Sequence, residues 1–172
     1  MTTRKMTVTA MLVAVYVVLS NLTPIKLINF KFTLEAFPVL VAGILFGPLE
    51  GLVVGGVGSL IYQLVFSGYG FTATTLLWVL PHAVNGLLAG LLSRWFKEMN
   101  FLNCLIISLI CNLSVTLLNT LALYVDSRLF GYYTKALVFG SLLLKFGAGI
   151  ILAGVYAGVL PVLIAQLKKT VH

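Results

Sequence analysis

The chain has 172 residues, 60% of them hydrophobic and only 9% charged, with 11 Lys and Arg against 4 Asp and Glu for a formal net charge of +7. A soluble domain carries about 25% charged residues, so this composition excludes a chain that covers itself with polar surface. The excess of positive charge, which in a soluble protein would point to nucleic acid, lies at the ends of apolar runs, where membrane topology accounts for it better.

Apolar runs of about 18 residues or more recur along the whole length, the signature of membrane-spanning helices. The predicted fold class is all-α: a polytopic membrane protein with six transmembrane helices, N-in/C-in, forming one integral membrane domain over residues 1–172. Arg4 and Lys5 precede the first helix, 7–22. It has the look of a signal peptide, but no small-residue cleavage site precedes the next segment, so it reads as a retained helix. The connection TPIKLINFKFT, with Pro24, Lys26 and Lys31, leads to a short second helix, 34–46, which Gly47-Pro48 ends. The third helix covers 49–66. A loop rich in Gly and Thr then opens the fourth, 72–94. The polar break RWFKEMN leads to the fifth, 101–125, and DSRLFGYYTK to the sixth, 136–167. That last run exceeds a single span, which predicts tilt or a kink near Pro161.

With the N-terminus inside, the cytoplasmic side receives Arg4, Lys5, Arg94, Lys97, Lys168 and Lys169, and the outside receives Lys26, Lys31, Arg128 and Lys135. The bias favours this orientation. It puts Gln63 and Asn119 in the outer half, and Trp78, His82 and Lys145 about 9 to 15 Å below the outer end at 1.5 Å per residue. Glu35 falls at the outer mouth of the second helix, where a helix N-terminus favours negative charge. The cytoplasmic half offers chiefly Asn85 and Asn112. Polar side chains from five helices therefore share one depth zone, which implies an outward-facing pocket.

Trp78, His82 and, deeper, Asn85 project from one helical face, and Pro81 frees the Leu77 carbonyl beside the histidine. Each group also has a structural alternative. His82, Gln63 and Asn119 serve equally as interhelical hydrogen-bonding groups, and Trp78 as packing. Lys145 costs about 2.5 kcal/mol or more at mid-bilayer, so it faces either a ligand or an internal partner such as Glu35. Arg128, Tyr132 and Tyr133 suit an interfacial belt. Small residues repeat every four positions at Gly47, Gly51, Gly55 and Ser59, at Gly86 and Gly90, and at Gly154 and Gly158, a spacing that lets helix backbones approach closely. Ala10 and Ala14 repeat it on the first helix, as packing or as a flat contact for a partner.

No P-loop, nucleophile elbow or H-E-x-x-H motif is present, and no cluster suits a metal. Cys104 and Cys111 stand seven apart, about 10 Å of rise and too far for an intrahelical disulfide, and read as apolar-like thiols. A chain with a pocket, no catalytic set and no cofactor site either binds passively or borrows a motor.

Three stretches, FTLEAFPVLVAGILFGPLEGLVVGGVGSLIYQLVFSGYG, TTLLWVLPHAVNGLLAGL and LLNTLALYVDS, carry a family resemblance that extends from Ala10 to Pro161. The chain resembles the substrate-binding S components of energy-coupling factor (ECF) vitamin transporters, and most of all their folate-type branch. The resemblance implies a six-helix protein of the bacterial plasma membrane that captures a vitamin from outside. It implies outer loops, after the first, third and fifth helices, that help close the site. The partners it implies are a transmembrane coupling protein and two cytoplasmic ATPases, with toppling of the S component in the membrane and a docking surface at Ala10 and Ala14. The site positions it implies are Lys31, Tyr69, Phe71, Trp78, His82, Asn119, Tyr124 and Lys145, which Gln63 joins from topology. Several relatives are expected to carry arginine where Asn85 stands, which would suit a more anionic ligand. The implied ligand is folate first, with pantothenate or a pyrimidine- or pyridoxine-type vitamin as alternatives. A different class also fits the residues: an autonomous small channel or facilitator, oligomerising through the glycine stripe of the third helix.

Overall fold

In a computed structural model, residues 3–22, 25–27, 30–32, 34–68, 70–96 and 98–171 are described, apart from the side chains of 25–27, 30–32 and 168–171. The apolar runs form helix α1 (Thr3–Leu22), α2 (Ala36–Phe46), α3 (Pro48–Ile61), α4 (Thr75–Ser93), α5 (Phe101–Leu129), a short α6 (Lys135–Phe139) and α7 (Leu142–Val171). Among the described residues, α1, α4, α5, α3 with its continuation to Phe66, and the α6–α7 stretch are long and apolar enough to cross a membrane. The chain is thus a helical membrane protein, as its composition predicts.

Departures from the predicted elements have local causes. The connection after α1 is an antiparallel hairpin of β1 (Ile25–Leu27) and β2 (Phe30–Phe32), with Lys26 opposite Lys31. The alternation Phe30-Lys31-Phe32 is the period-two pattern of a strand. Helix α3 widens into a π-helical turn over Tyr62–Phe66. Helix α5 begins where Asn100 caps it, its side chain accepting from the Asn103 N–H at 2.9 Å, and continues four residues past its predicted end. The predicted sixth helix is divided at Gly140–Ser141, and α7 then runs on through Pro161 to Val171, so the interruption lies at the glycine and not at the proline.

The glycines of α3 and α4 are the reason these helices lie backbone on backbone. A methyl group added at Gly51 would meet the Gly86 carbonyl, one at Gly86 the Gly51 backbone, and one at Gly90 the Pro48 backbone. Gly43 of α2 joins them, its methyl position 2.8 Å from the Gly86 oxygen and 2.9 Å from the Gly90 nitrogen. One half of the bundle is therefore sealed by main chain. Leu40, Ile107 and Leu160 fill the adjoining core, fully buried. The third small-residue pair behaves differently: Gly154 and Gly158 have nothing within 4 Å of a methyl position, so among the described residues they make no close helix contact.

At the sealed end, Lys5 Nζ pairs with Glu50 at 2.6 Å and donates to the Phe46 carbonyl at 3.0 Å, pinning α1 to the α2–α3 corner. From that corner α2 extends only eleven residues, a rise of about 16 Å, roughly half of a 30 Å hydrocarbon layer. The candidate site lies toward its N-terminal end, where Glu35 and Ala36 line a cavity.

Candidate functional site

A cavity of about 380 Å³ occupies the half of the bundle above the glycine seal. Glu35, Ser59, His82 and Asn112 line its floor.

Glu35, expected at the mouth of the second helix, stands at the N-terminus of α2 and lines the cavity. Asn112, expected in the cytoplasmic half, also lines it. The Asn112 amide donates to the Gly149 carbonyl at 3.0 Å, joining α5 to α7. His82 Nε2 stands 3.7 Å from Glu35 Oε1, and the Tyr16 ring meets the imidazole edge-on at 5.6 Å between centroids. The Ser59 hydroxyl donates to the Gly55 carbonyl at 2.6 Å. The floor is polar, with its hydroxyl and amide groups held in fixed orientations.

The wall above is more mixed. Tyr62 and Gln63 reach the cavity from the π-helical turn, whose wider winding displaces these side chains from the line of α3. Trp78 enters from the first turn of α4, Thr116 and Asn119 from α5, and Lys145 from the first turn of α7. Among the described lining residues Lys145 is the one Lys or Arg and Glu35 the one carboxylate, so the cavity has a cationic wall and an acidic floor.

Five of the sequence-predicted positions thus line one space: Gln63, Trp78, His82, Asn119 and Lys145. Two others stand apart from it. Phe71 is 74% exposed in the loop before α4. Tyr124 is turned into a cluster with Tyr133, edge-on at 5.5 Å, with the Arg128 guanidinium 5.5 Å from the Tyr124 ring and 3.9 Å from the Tyr133 ring. Tyr69 lies outside the described residues, as does the side chain of Lys31, whose backbone belongs to β2. Asn85 is fully buried and absent from the lining, with no hydrogen-bond partner for its side chain among the described residues. Ala10 and Ala14 lie on the exposed face of α1. The sequence reading passed over Tyr16, Ser59, Tyr62 and Thr116. For Tyr16 a signal existed, a lone aromatic in an otherwise aliphatic helix.

The rim is tied across the bundle. The Asp126 carboxylate near the end of α5 accepts from the Thr74 hydroxyl, at the start of α4, and from the Tyr132 hydroxyl, in the turn before α6. One side chain therefore links the two segments flanking the cavity.

The family model for the substrate-specific component of ECF transporters matches residues 4–167. No curated protein matches the chain in sequence. Among solved structures, the chain is similar to FolT bound with folic acid, with a TM-score of 0.73 and 18% identity over 93% of both chains. It is also similar to the S-component for biotin from an ECF-type ABC transporter, with a TM-score of 0.64 and 21% identity over 98% of this chain and 95% of that one. At these identities the likeness is one of fold.

Proposed function

Because the chain belongs to the substrate-specific components of ECF transporters, we propose that it captures a vitamin of the folate type in the cavity above the glycine seal. The observation that carries this reading is the cavity's pairing of a flat aromatic wall, Trp78, with a cation, Lys145, held at the start of α7. A pterin-like ring would stack on the indole while a carboxylate meets the ammonium. Lys31, Tyr69 and Phe71 belong to the loops that would close over it. The basic end at Lys5 and Arg94 faces the cytoplasm by the positive-inside rule, so the cavity receives ligand from outside. The chain is no enzyme in this reading. A transmembrane coupling protein and two cytoplasmic ATPases supply the energy, in a bacterial plasma membrane. A vitamin with a single carboxylate is the second reading, favoured by Lys145 being the one Lys or Arg among the described lining residues.

Mass spectrometry of ligand co-purified with the chain alone tests the proposal directly. A reduced or oxidised folate held with sub-micromolar affinity, in the absence of any ATPase, is expected. Vitamin flux through liposomes containing only this chain would overturn it in favour of an autonomous facilitator.

Two narrower results follow from the geometry. Ala10→Leu and Ala14→Leu are expected to abolish uptake in cells carrying the whole transporter and leave binding unchanged, because both positions lie on the exposed face of α1. Loss of binding would make them internal packing. Asp126→Ala removes two hydrogen bonds to a charged acceptor at the rim. Bonds of that kind contribute about 1.5–3 kcal/mol each, so ligand dissociation is expected to speed up by roughly tenfold or more. A stopped-flow dissociation rate equal to wild type would show that the tie does not govern access.

A further inference from the structure

Glu35 has no role in the folate-type reading as given above, yet it is the one carboxylate among the described lining residues and it sits on the floor. Its side chain is 16% exposed, on the cavity side of a helix N-terminus. That end of a helix stabilises an anion, and His82 Nε2 stands 3.7 Å from Oε1. An ionised carboxylate accepts hydrogen bonds and donates none, offering about four lone-pair positions on two oxygens. A ligand edge of carbonyls or anionic oxygens placed against it is repelled, and an edge of N–H groups is held. Lys145 on the wall has the opposite character, since an ammonium only donates.

A ligand carrying both kinds of group therefore fits this cavity in one sense only: N–H edge toward Glu35, anionic group toward Lys145. The geometry points to Glu35 as a specificity-determining residue that reads two adjacent N–H donors on the ligand's flat head, of the kind an aminopyrimidinone ring presents. Two parallel N–H bonds to one carboxylate form the bidentate arrangement that gives such pairs their selectivity. His82, beside one oxygen, and Trp78, on the wall above, fix the plane in which the head lies. This inference rests on the folate-type reading and sharpens it, by naming the chemical edge that the floor selects.

The test compares 6-carboxypterin with 6-carboxylumazine, which has a carbonyl in place of the 2-amino group. Each has a single carboxylate, so the Lys145 contact is the same for both. Titrated into the purified chain, the pterin is expected to bind at least tenfold more tightly than the lumazine. In Glu35→Gln, whose amide both donates and accepts, that preference is expected to vanish or reverse. In Lys145→Gln both compounds weaken and the preference stays. Equal binding of the two compounds by the wild-type chain overturns the inference without recourse to any variant. So does a preference retained in folded Glu35→Gln. Binding of biotin with neither pteridine bound overturns the folate-type reading itself, a distinguishable result.

Discussion

Gly86→Ala is expected to destabilise the protein by about 3 kcal/mol, the upper part of the range for overpacked sites. The methyl group would land on the main chain of Gly51, and neither backbone has room to retreat. Gly43 presses on the Gly86 carbonyl from α2, at 2.8 Å from its own methyl position, and the Gly90–Pro48 contact holds α4 against α3 one turn away. A flexible side chain could turn aside, but a peptide group inside two helices moves only if the helices separate. Separation would open the seal that divides the cavity from the basic end, so ligand binding should fall together with stability. Gly154→Ala and Gly158→Ala provide the control. With nothing within 4 Å of either position, both are expected to unfold within about 0.5 kcal/mol of wild type, although all three residues belong to the same sequence pattern. Denaturation of the purified variants in one detergent measures the contrast. A Gly86→Ala curve that overlays wild type would show that the close approach is not needed.

Lys145→Ala is expected to weaken an anionic ligand by more than tenfold. The ammonium lies in the cavity wall with no other Lys or Arg among the described lining residues to replace it. Arg128 is stacked on Tyr133 at 3.9 Å and does not line the cavity. A hydrogen bond to a charged group contributes about 1.5–3 kcal/mol, which corresponds to roughly ten- to a hundredfold in affinity. The methyl ester of the same ligand should bind wild type and variant alike, since it has no charge to lose. Calorimetric titration of acid and ester against both proteins gives four affinities. An acid affinity unchanged in folded Lys145→Ala would make the lysine a structural group.

Much of this arrangement was legible in the sequence because membrane helices follow from composition and length alone. Once orientation was fixed by Lys and Arg at the helix ends, counting residues placed Gln63, Trp78, His82, Asn119 and Lys145 at compatible depths. What counting could not give was which side chains meet: Asn112, expected in the cytoplasmic half, lines the cavity and donates to the Gly149 carbonyl. Spacing likewise tells which residues share a face and not what the face meets. Gly86 and Gly154 belong to the same pattern, yet one touches a neighbouring backbone and the other none. The turn of Tyr124 toward Tyr133 and Arg128 depends on the tertiary course of the chain after α5, which no periodicity encodes.

The half-length α2 has an electrical consequence. In the orientation proposed above, with the cavity filled from outside, the external potential would reach the level of Glu35 and the membrane voltage would fall mainly across the glycine-packed half below. An anion resting beside Lys145 has crossed little of that field, and its capture should be nearly independent of voltage. The work of bringing it inward against an inside-negative potential, about 2.3 kcal/mol per charge for each 100 mV, then falls on the later movement past the seal.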